Sequence, residues 1–178
     1  IGGGLAAVPG ALDRVCRAVV AAACDHKILV VPGGGPFADA VRRFDRSFGL
    51  SPDAAHWMAI LGMDQYAHVL AERMPGALLI DQPGDVFQTL KPGCVTILAP
   101  SRWMRSADVL PHSWEVSSDS IAAFIAGALD AARLVLIKPS SDSPESLDPH
   151  FTRTLPAGMT HSVIGCDRLE RLADCLTG

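Results

Sequence analysis

Apolar residues recur at helical spacing in several segments of this chain, and each segment predicts an amphipathic helix. The predicted helices span residues 9–24, 37–48, 54–73, 121–129 and 167–176. In the second of them, Phe37, Val41, Phe44 and Phe48 share one face while charged residues occupy the other. We therefore expect residues 37–48 to form a surface helix with an aromatic seam.

Short continuous apolar runs lie between the helices and predict strands. They are rich in β-branched side chains and cover residues 27–31, 77–80, 94–99, 134–137 and 160–164. Such runs are typical of parallel strands buried on both faces, and Ile1 is expected to end a further strand. Strands alternate with helices, and no repeat or linker divides the chain. The pattern therefore predicts one α/β domain over residues 1–178, a three-layer αβα sandwich with a mostly parallel open sheet.

Three connecting segments complete this pattern. Residues 81–90 are expected to hold a turn and a short helix, and residues 140–149 are a loop by composition. Residues 101–105, with the sequence Ser-Arg-Trp-Met-Arg, follow a predicted strand and are interpreted as a loop. Loops at the carboxyl ends of strands are where open α/β sheets bind their ligands.

The composition fits a globular protein with a sizeable core, since 49% of the 178 residues are apolar and 19% are charged. The formal net charge is −4 and the basic residues are scattered, which argues against a nucleic-acid partner. No apolar run reaches the roughly 18 residues that cross a bilayer, so we expect no membrane segment. Five cysteines at irregular spacing are interpreted as reduced, mostly buried thiols of a cytoplasmic protein.

Two runs of three glycines follow predicted strands near the start of the chain. The first is Gly2-Gly3-Gly4, and the second is Gly33-Gly34-Gly35 between two prolines. The order strand, glycine loop, helix places backbone N–H groups and a helix N-terminus at the carboxyl edge of a parallel sheet. Such groups can hold an anion. Neither run fits a P-loop or a full dinucleotide fingerprint.

A polar stretch before the fourth predicted helix is the third candidate site. Ser117, Ser118 or Asp119 can cap this helix, and its N-terminus can also face an anionic ligand. An ordinary capped helix is the alternative interpretation.

Histidines in the third predicted helix are candidate metal ligands. His56, Asp64 and His68 follow one another at spacings of eight and four. This spacing is weak evidence for a metal site, so we interpret the histidines as structural or surface residues and assign no metal-binding residues.

Three segments together resemble successive signatures of the amino acid kinase superfamily, the fold of aspartate, acetylglutamate and uridylate kinases. They are Ile-Gly-Gly-Gly-Leu at residues 1–5, Val-Val-Pro-Gly-Gly-Gly-Pro-Phe-Ala at 30–38 and His-Ser-Trp-Glu-Val-Ser-Ser-Asp-Ser-Ile at 112–121. With the ending at residues 163–172, they most resemble a subgroup of small kinases. That subgroup phosphorylates an aminomethyl-furan methyl phosphate in the synthesis of methanofuran-type one-carbon carriers.

The resemblance implies an ATP-dependent phosphotransferase that uses Mg²⁺ and acts on a small anionic or phosphorylated substrate. It implies that the first glycine run, Gly2, Gly3 and Gly4, holds the oxygens of the transferred phosphate. The second run, Gly33, Gly34 and Gly35, would hold the anionic group of the phosphate-accepting substrate. Phosphoryl transfer needs mainly positioning and charge neutralisation, which backbone N–H groups and helix N-termini supply.

The resemblance also assigns side chains to the site. Asp119 would orient the catalytic cations with Ser118 beside it, and His112 and Trp114 would line the substrate pocket. Lys138, at the end of a predicted strand, is a candidate contact for the nucleotide phosphates. Relatives commonly associate, so a homodimer is possible.

The chain departs from the family pattern in places that leave two functions open. Relatives have a Thr-Asp and a Val-Asp-Gly segment where this chain has Lys138 and a shortened region around residues 138–160. They place a phosphate-binding lysine directly before the first glycine signature, a position that precedes Ile1, where we suspect a few further residues. Gly165-Cys166 replaces a near-terminal Asn-Gly pair. The chain is therefore expected to be a kinase, or a ligand-binding or assembly subunit that has lost nucleotide binding.

Overall fold

The structure, a computed structural model, describes residues 1–140 and 147–177. Its strands are β1 (Ile28–Val30), β2 (Leu78–Ile80), β3 (Val95–Leu98), β4 (Arg133–Lys138) and β5 (Thr160–Gly165). Its helices are α1 (Ala11–Ala22), α2 (Gly35–Phe48), α3 (Pro52–Arg73), α4 (Val86–Thr89), α5 (Ser101–Ala107), α6 (Ser118–Ala128), α7 (Phe151–Thr154) and α8 (Leu172–Thr177). Short 3₁₀ helices lie at Gly3–Ala7, Pro83–Asp85 and Leu169–Arg171.

The strands form two parallel sets that meet at the beginning of the chain. In one set β3 lies between β1 and β2, and in the other β4 pairs with β5. The amino group of Ile1 donates to the Val31 carbonyl at 2.9 Å, and the Ile1 carbonyl accepts from the Gly33 N–H at 2.7 Å. On the other side, the Gly2 N–H donates to the Ile137 carbonyl at 2.8 Å. Ile1 and Gly2 are therefore bonded to strand ends on both sides, as expected for the end of a strand. Next to this junction, β1 and β4 line an apolar cavity of about 410 Å³.

Alternate strand residues pack into cores on opposite faces of the sheet. Ile97 and Ile137 belong to a core built with α1, α8 and the second half of α3. Leu98 packs on the other face with α5, α6 and the first half of α3, and Leu136 packs there with α6 and α7. This alternation is the period of two that a strand imposes on its side chains. The predicted αβα sandwich with parallel strands is confirmed.

The prediction of a loop at residues 101–105 is wrong, because these residues begin α5. The helix follows Pro100, which makes no side-chain cap hydrogen bond. Instead, Asp64 of α3 accepts a hydrogen bond from the Ser101 backbone N–H at 3.0 Å, and Met104 is buried in the core. A cap supplied by a residue so distant in sequence leaves no local pattern, which explains the error.

Smaller differences concern the end of the chain and the thiols. The helix predicted at residues 167–176 is divided into the 3₁₀ helix at Leu169–Arg171 and α8, and α7 was not predicted. Part of the predicted loop at residues 140–149 lies outside the described residues. Cys16 and Cys166 are buried but Cys24 is exposed, so the expectation of mostly buried thiols is only partly right. Within the described residues, no helix combines the length and apolarity needed to cross a membrane.

Candidate phosphate site and substrate cavity

The two glycine loops touch each other at the carboxyl edge of the sheet. A Cβ atom on Gly3 would overlap the backbone nitrogen of Gly35, and one on Gly33 would overlap that of Gly3. Gly35 has a φ of 53°, in the left-handed region that glycine adopts at little cost. The two loops predicted separately from the sequence therefore lie in contact. Positions 3 and 33 must be glycine because a side chain at either would overlap the backbone of the other loop.

Four backbone N–H groups at this contact are left unpaired. In the part of the chain that the structure describes, the N–H groups of Gly3, Gly4, Gly34 and Gly35 have no hydrogen-bond partner. Since α2 begins at Gly35, the positive end of its macrodipole lies at the same place. Unpaired N–H groups in a glycine loop and at a helix N-terminus form an anion-binding site.

A cavity of about 740 Å³ opens beside these N–H groups, a volume suited to a small-molecule ligand. Its lining includes the predicted site residues Gly3, Gly4, Gly34, Gly35, His112, Trp114 and Ser118. Apolar side chains of α3 and α6, such as Ile60, Met63 and Ile121, form other parts of the wall. The structure thus brings most of the predicted site residues to one cavity.

Trp114 is fixed in the cavity wall by α2. Its indole N–H donates to Asp45 Oδ2 at 2.7 Å, and the Arg42 guanidinium lies 4.6 Å from the ring centroid. Arg42 also pairs with Asp39 at 3.2 Å. This wall therefore combines an aromatic face, a cation and carboxylates within reach of one ligand.

Asp119 and Lys138 lie beside the first glycine loop rather than in the cavity wall. The Lys138 ammonium donates to both Asp119 carboxylate oxygens, at 2.6 and 2.7 Å, and both side chains are largely buried. A Cβ atom on Gly2 would come within 3.2 Å of Lys138 Cδ, so the lysine stem packs against that loop. A buried ion pair therefore lies directly against the first glycine loop.

The N-terminus of α6 is occupied by the carboxylate of Asp148. Asp148 Oδ2 accepts hydrogen bonds from the backbone N–H groups of Ser117 and Ser120, at 2.9 and 3.0 Å, and from the Ser117 hydroxyl at 2.8 Å. Its Oδ1 accepts from the Ser120 hydroxyl at 2.6 Å. Burial raises the pKa of Asp148, but the hydrogen bonds from Ser120 and Ser117 outweigh burial and lower it below its ordinary value.

Asp148 changes the expectation for this helix end. Ser117 is the N-cap, as predicted, and its hydroxyl accepts from the Asp119 N–H at 3.3 Å. The expectation that the α6 N-terminus faces an anionic ligand is wrong, because an internal carboxylate takes that position. The anion site is left to the glycine loops and α2.

His112 is held between two carboxylates. Its Nδ1 lies 2.6 Å from Asp53 Oδ1 and its Nε2 lies 2.9 Å from Asp108 Oδ1. Hydrogen bonds to Asp53 and Asp108 raise the pKa of His112, because both partners favour the protonated ring. With both nitrogens engaged, the ring has no N–H left for a ligand. His112 therefore fastens the cavity wall to α3 and to the end of α5.

His56 is a cavity residue that the sequence interpretation did not assign to the site. It belongs to α3, is 8% exposed, and stacks on the His112 ring with centroids 4.1 Å apart. One sequence signal could have identified it. His56 shares its helix face with Ile60, Met63 and Ala67, all of which are buried, so it is a polar side chain at an inward position.

A parallel αβα domain with paired glycine loops, a helix N-terminus and a cavity at its carboxyl edge has the architecture in which open α/β sheets bind their ligands. Residues 1–141 match the amino acid kinase family, and the chain belongs to this family. The superfamily resemblance seen in the sequence is thereby confirmed.

The proteins similar to this chain include the following two. The [5-(aminomethyl)furan-3-yl]methyl phosphate kinase of Methanocaldococcus jannaschii is 34% identical over 112 residues, which are 63% of this chain and 51% of that protein. The crystal structure of uridylate kinase from Archaeoglobus fulgidus superimposes with a TM-score of 0.59 at 16% identity, over 82% of this chain and 66% of that chain. This chain spans about half the length of the curated relative.

Proposed function

We propose that the protein is an ATP-dependent phosphotransferase that acts on a small anionic or phosphorylated substrate. One observation carries this proposal. Gly3, Gly4, Gly34 and Gly35 of two loops line one cavity, and within the described residues none of their backbone N–H groups has a hydrogen-bond partner. Two loops provide room for two phosphate groups, one to be transferred and one belonging to the substrate, and family membership supports the same chemistry.

Phosphoryl transfer requires positioning of the reacting groups and neutralisation of their charge, and different residues of this site would supply each. In the reaction, the bond from the γ-phosphorus of ATP to its bridging oxygen breaks, a bond to a substrate oxygen forms, and ADP leaves. Gly3 and Gly4 would hold the oxygens of the transferred group, and Gly34 and Gly35 those of the substrate. Lys138, oriented by Asp119, would neutralise developing negative charge. Mg²⁺ bound to ATP would contribute further positive charge.

The curated relative supports a specific substrate, an aminomethylfuran methyl phosphate. The cavity offers groups that suit each part of such a molecule. The glycine loops suit its phosphate, Trp114 suits an aromatic ring, and the carboxylates of Asp45 and Glu115 suit an amine. The homodimer and the roles of Asp119 and Ser118 remain predictions.

A second function is favoured by the closed pair of Asp119 and Lys138. Because both Asp119 oxygens accept hydrogen bonds from Lys138, an internal cation already neutralises this carboxylate in this arrangement. A family member that keeps the substrate cavity but does not bind nucleotide would act as a ligand-binding or assembly subunit.

Nucleotide binding separates the two functions. We expect calorimetry to detect Mg-ATP binding, and labelled γ-phosphate to reach aminomethylfuran methyl phosphate. Lys138→Met should weaken nucleotide binding or turnover, whereas Lys91→Met, at an exposed position just before a turn, is the matched control and should not. If Mg-ATP does not bind at millimolar concentration, the kinase proposal fails. If the substrate still binds under those conditions, the ligand-binding function stands in its place.

A further inference from the structure

The ring of His56 is buried in the substrate cavity without a hydrogen-bond partner. The residue is 8% exposed and lines the cavity between the glycine loops and α3. Among residues 1–140 and 147–177, the structure records ring contacts of His56 with Trp57 and His112 but no hydrogen bond to either ring nitrogen. Its ring nitrogens are not among the fully enclosed side-chain atoms that lack a partner, so they are accessible from the cavity and can take a hydrogen-bond partner there. A ligand in the cavity is the natural source of that partner.

Burial and the neighbouring His112 determine the charge state of His56. His112 carries a carboxylate on each nitrogen, and its ring stacks on His56 with an interplanar angle of 18°. Asp53 and Asp108 face this pair from α3 and from the end of α5. Burial, and then the charge of His112, lower the pKa of His56 to about 4. At neutral pH the His56 ring is therefore uncharged, with one donor nitrogen and one acceptor nitrogen.

We propose that His56 is a substrate-contacting residue that selects for an uncharged hydrogen-bonding group, such as a hydroxyl or a ring oxygen, on the substrate held by the glycine loops. This inference rests on the proposed function. The glycine N–H groups bind the anionic end of the substrate, and His56 bonds a part of the molecule away from that end. The adjoining Ala59 and Ile60 are apolar, so a neutral ring can discriminate here without attracting a second charge.

The test compares steady-state kinetics of three variants with aminomethylfuran methyl phosphate and Mg-ATP. His56→Phe keeps an aromatic ring against His112 but removes both nitrogens. It should raise the KM for the substrate by about tenfold or more, while the KM for Mg-ATP stays within about twofold. His56→Gln retains a donor and an acceptor and should recover most of the loss. His68→Phe, on the exposed face of the same helix, is the matched control and should leave both constants unchanged.

A second measurement uses the wild-type protein and therefore does not require any variant to fold. In the wild-type protein with ¹⁵N-labelled histidine, substrate addition should shift the His56 ring-nitrogen resonances and leave those of His68 in place. An unshifted His56 in the presence of bound substrate overturns the proposal, as does a wild-type KM in His56→Phe. Equal losses in the Phe and Gln variants would assign His56 to packing and also overturn it.

The outcomes separate this inference from the function on which it rests. If the wild type turns over substrate and the His56→Phe variant does so equally well, the proposed substrate contact of His56 is rejected and the kinase proposal stands. If substrate shifts the His56 ring-nitrogen resonances but the protein does not bind Mg-ATP, His56 stands as a substrate contact and the kinase proposal is rejected. Absence of binding by substrate and by Mg-ATP rejects both.

Discussion

The Lys138 ammonium group donates to both carboxylate oxygens of Asp119, at 2.6 and 2.7 Å, and the lysine stem packs against Gly2. The two side chains are 13% and 5% exposed, so the pair is largely removed from water. Desolvation offsets much of the attraction in such a pair, and its contribution to stability is modest. Its placement beside Gly2 instead suits a role in holding one positive charge near bound phosphate.

Asp119→Asn is expected to damage both stability and activity. The substitution leaves the Lys138 charge buried without its counter-ion, which should lower the free energy of unfolding by about 3–5 kcal/mol. Transfer of phosphate should fall severely because Lys138 loses its orientation. Urea unfolding followed by circular dichroism measures the first effect, and the phosphoryl-transfer assay measures the second.

The double variant Asp119→Leu with Lys138→Met is the control for that prediction. Because it removes both charges, it should recover most of the lost stability but none of the activity. Full activity of either variant would contradict the role assigned to the pair.

Gly3→Ala should disrupt the contact between the two glycine loops. The added Cβ would overlap the backbone of Gly35, which no side-chain rotation can relieve. We expect a clear drop in melting temperature and loss of Mg-ATP binding. Gly84→Ala is the control, because no atom lies within 4 Å of a Cβ there and φ is not in the left-handed region. A Gly3→Ala protein as stable as Gly84→Ala would refute the close contact.

The environment of His112 predicts a pH dependence of stability. Its pKa is raised in the folded state by Asp53 and then Asp108. The contribution of His112 to folding stability is therefore fully present below its unfolded-state pKa of about 6.5. It is lost as the pH rises through the folded-state pKa. Melting temperatures should fall over that interval in the wild type and change less in His112→Gln. Nuclear magnetic resonance should show His112 titrating above 6.5, and Asp108→Asn should move that titration downward.

Much of the fold and half of the site could be predicted from local sequence. The strand and helix periods identified the sheet layers, and the two triple-glycine runs marked the phosphate site because glycine alone permits the close backbone contact. Asp119 and Trp114 were assigned to the site through a family resemblance, and the structure places Trp114 in the cavity wall and Asp119 on Lys138, whose stem packs against Gly2.

The remaining features depend on residues that are distant in sequence. Asp64 caps α5 from another helix, and Asp148 caps α6 from a segment interpreted as a loop. His56 acquires its uncharged state from burial and then from His112, which lies beyond two intervening strands in the sequence. A local pattern contains no information on such partners, so the sequence alone predicted neither the α5 helix nor the role of His56.

Asp148→Asn should weaken the start of α6 and alter the acid dependence of stability. The carboxylate accepts four hydrogen bonds from Ser117 and Ser120, and its pKa is below the ordinary value in the folded protein. The contribution of Asp148 to folding stability is therefore present above its unfolded-state pKa of about 3.9. It is lost as the pH falls through the folded-state pKa. An amide keeps one acceptor oxygen, so we expect a loss of about 1–2 kcal/mol at pH 7, which is the usual size of an N-cap effect. Urea unfolding at pH 7 and near pH 3 should show the difference from wild type shrinking in acid, and a pH-independent difference would exclude the ionised carboxylate as the cap.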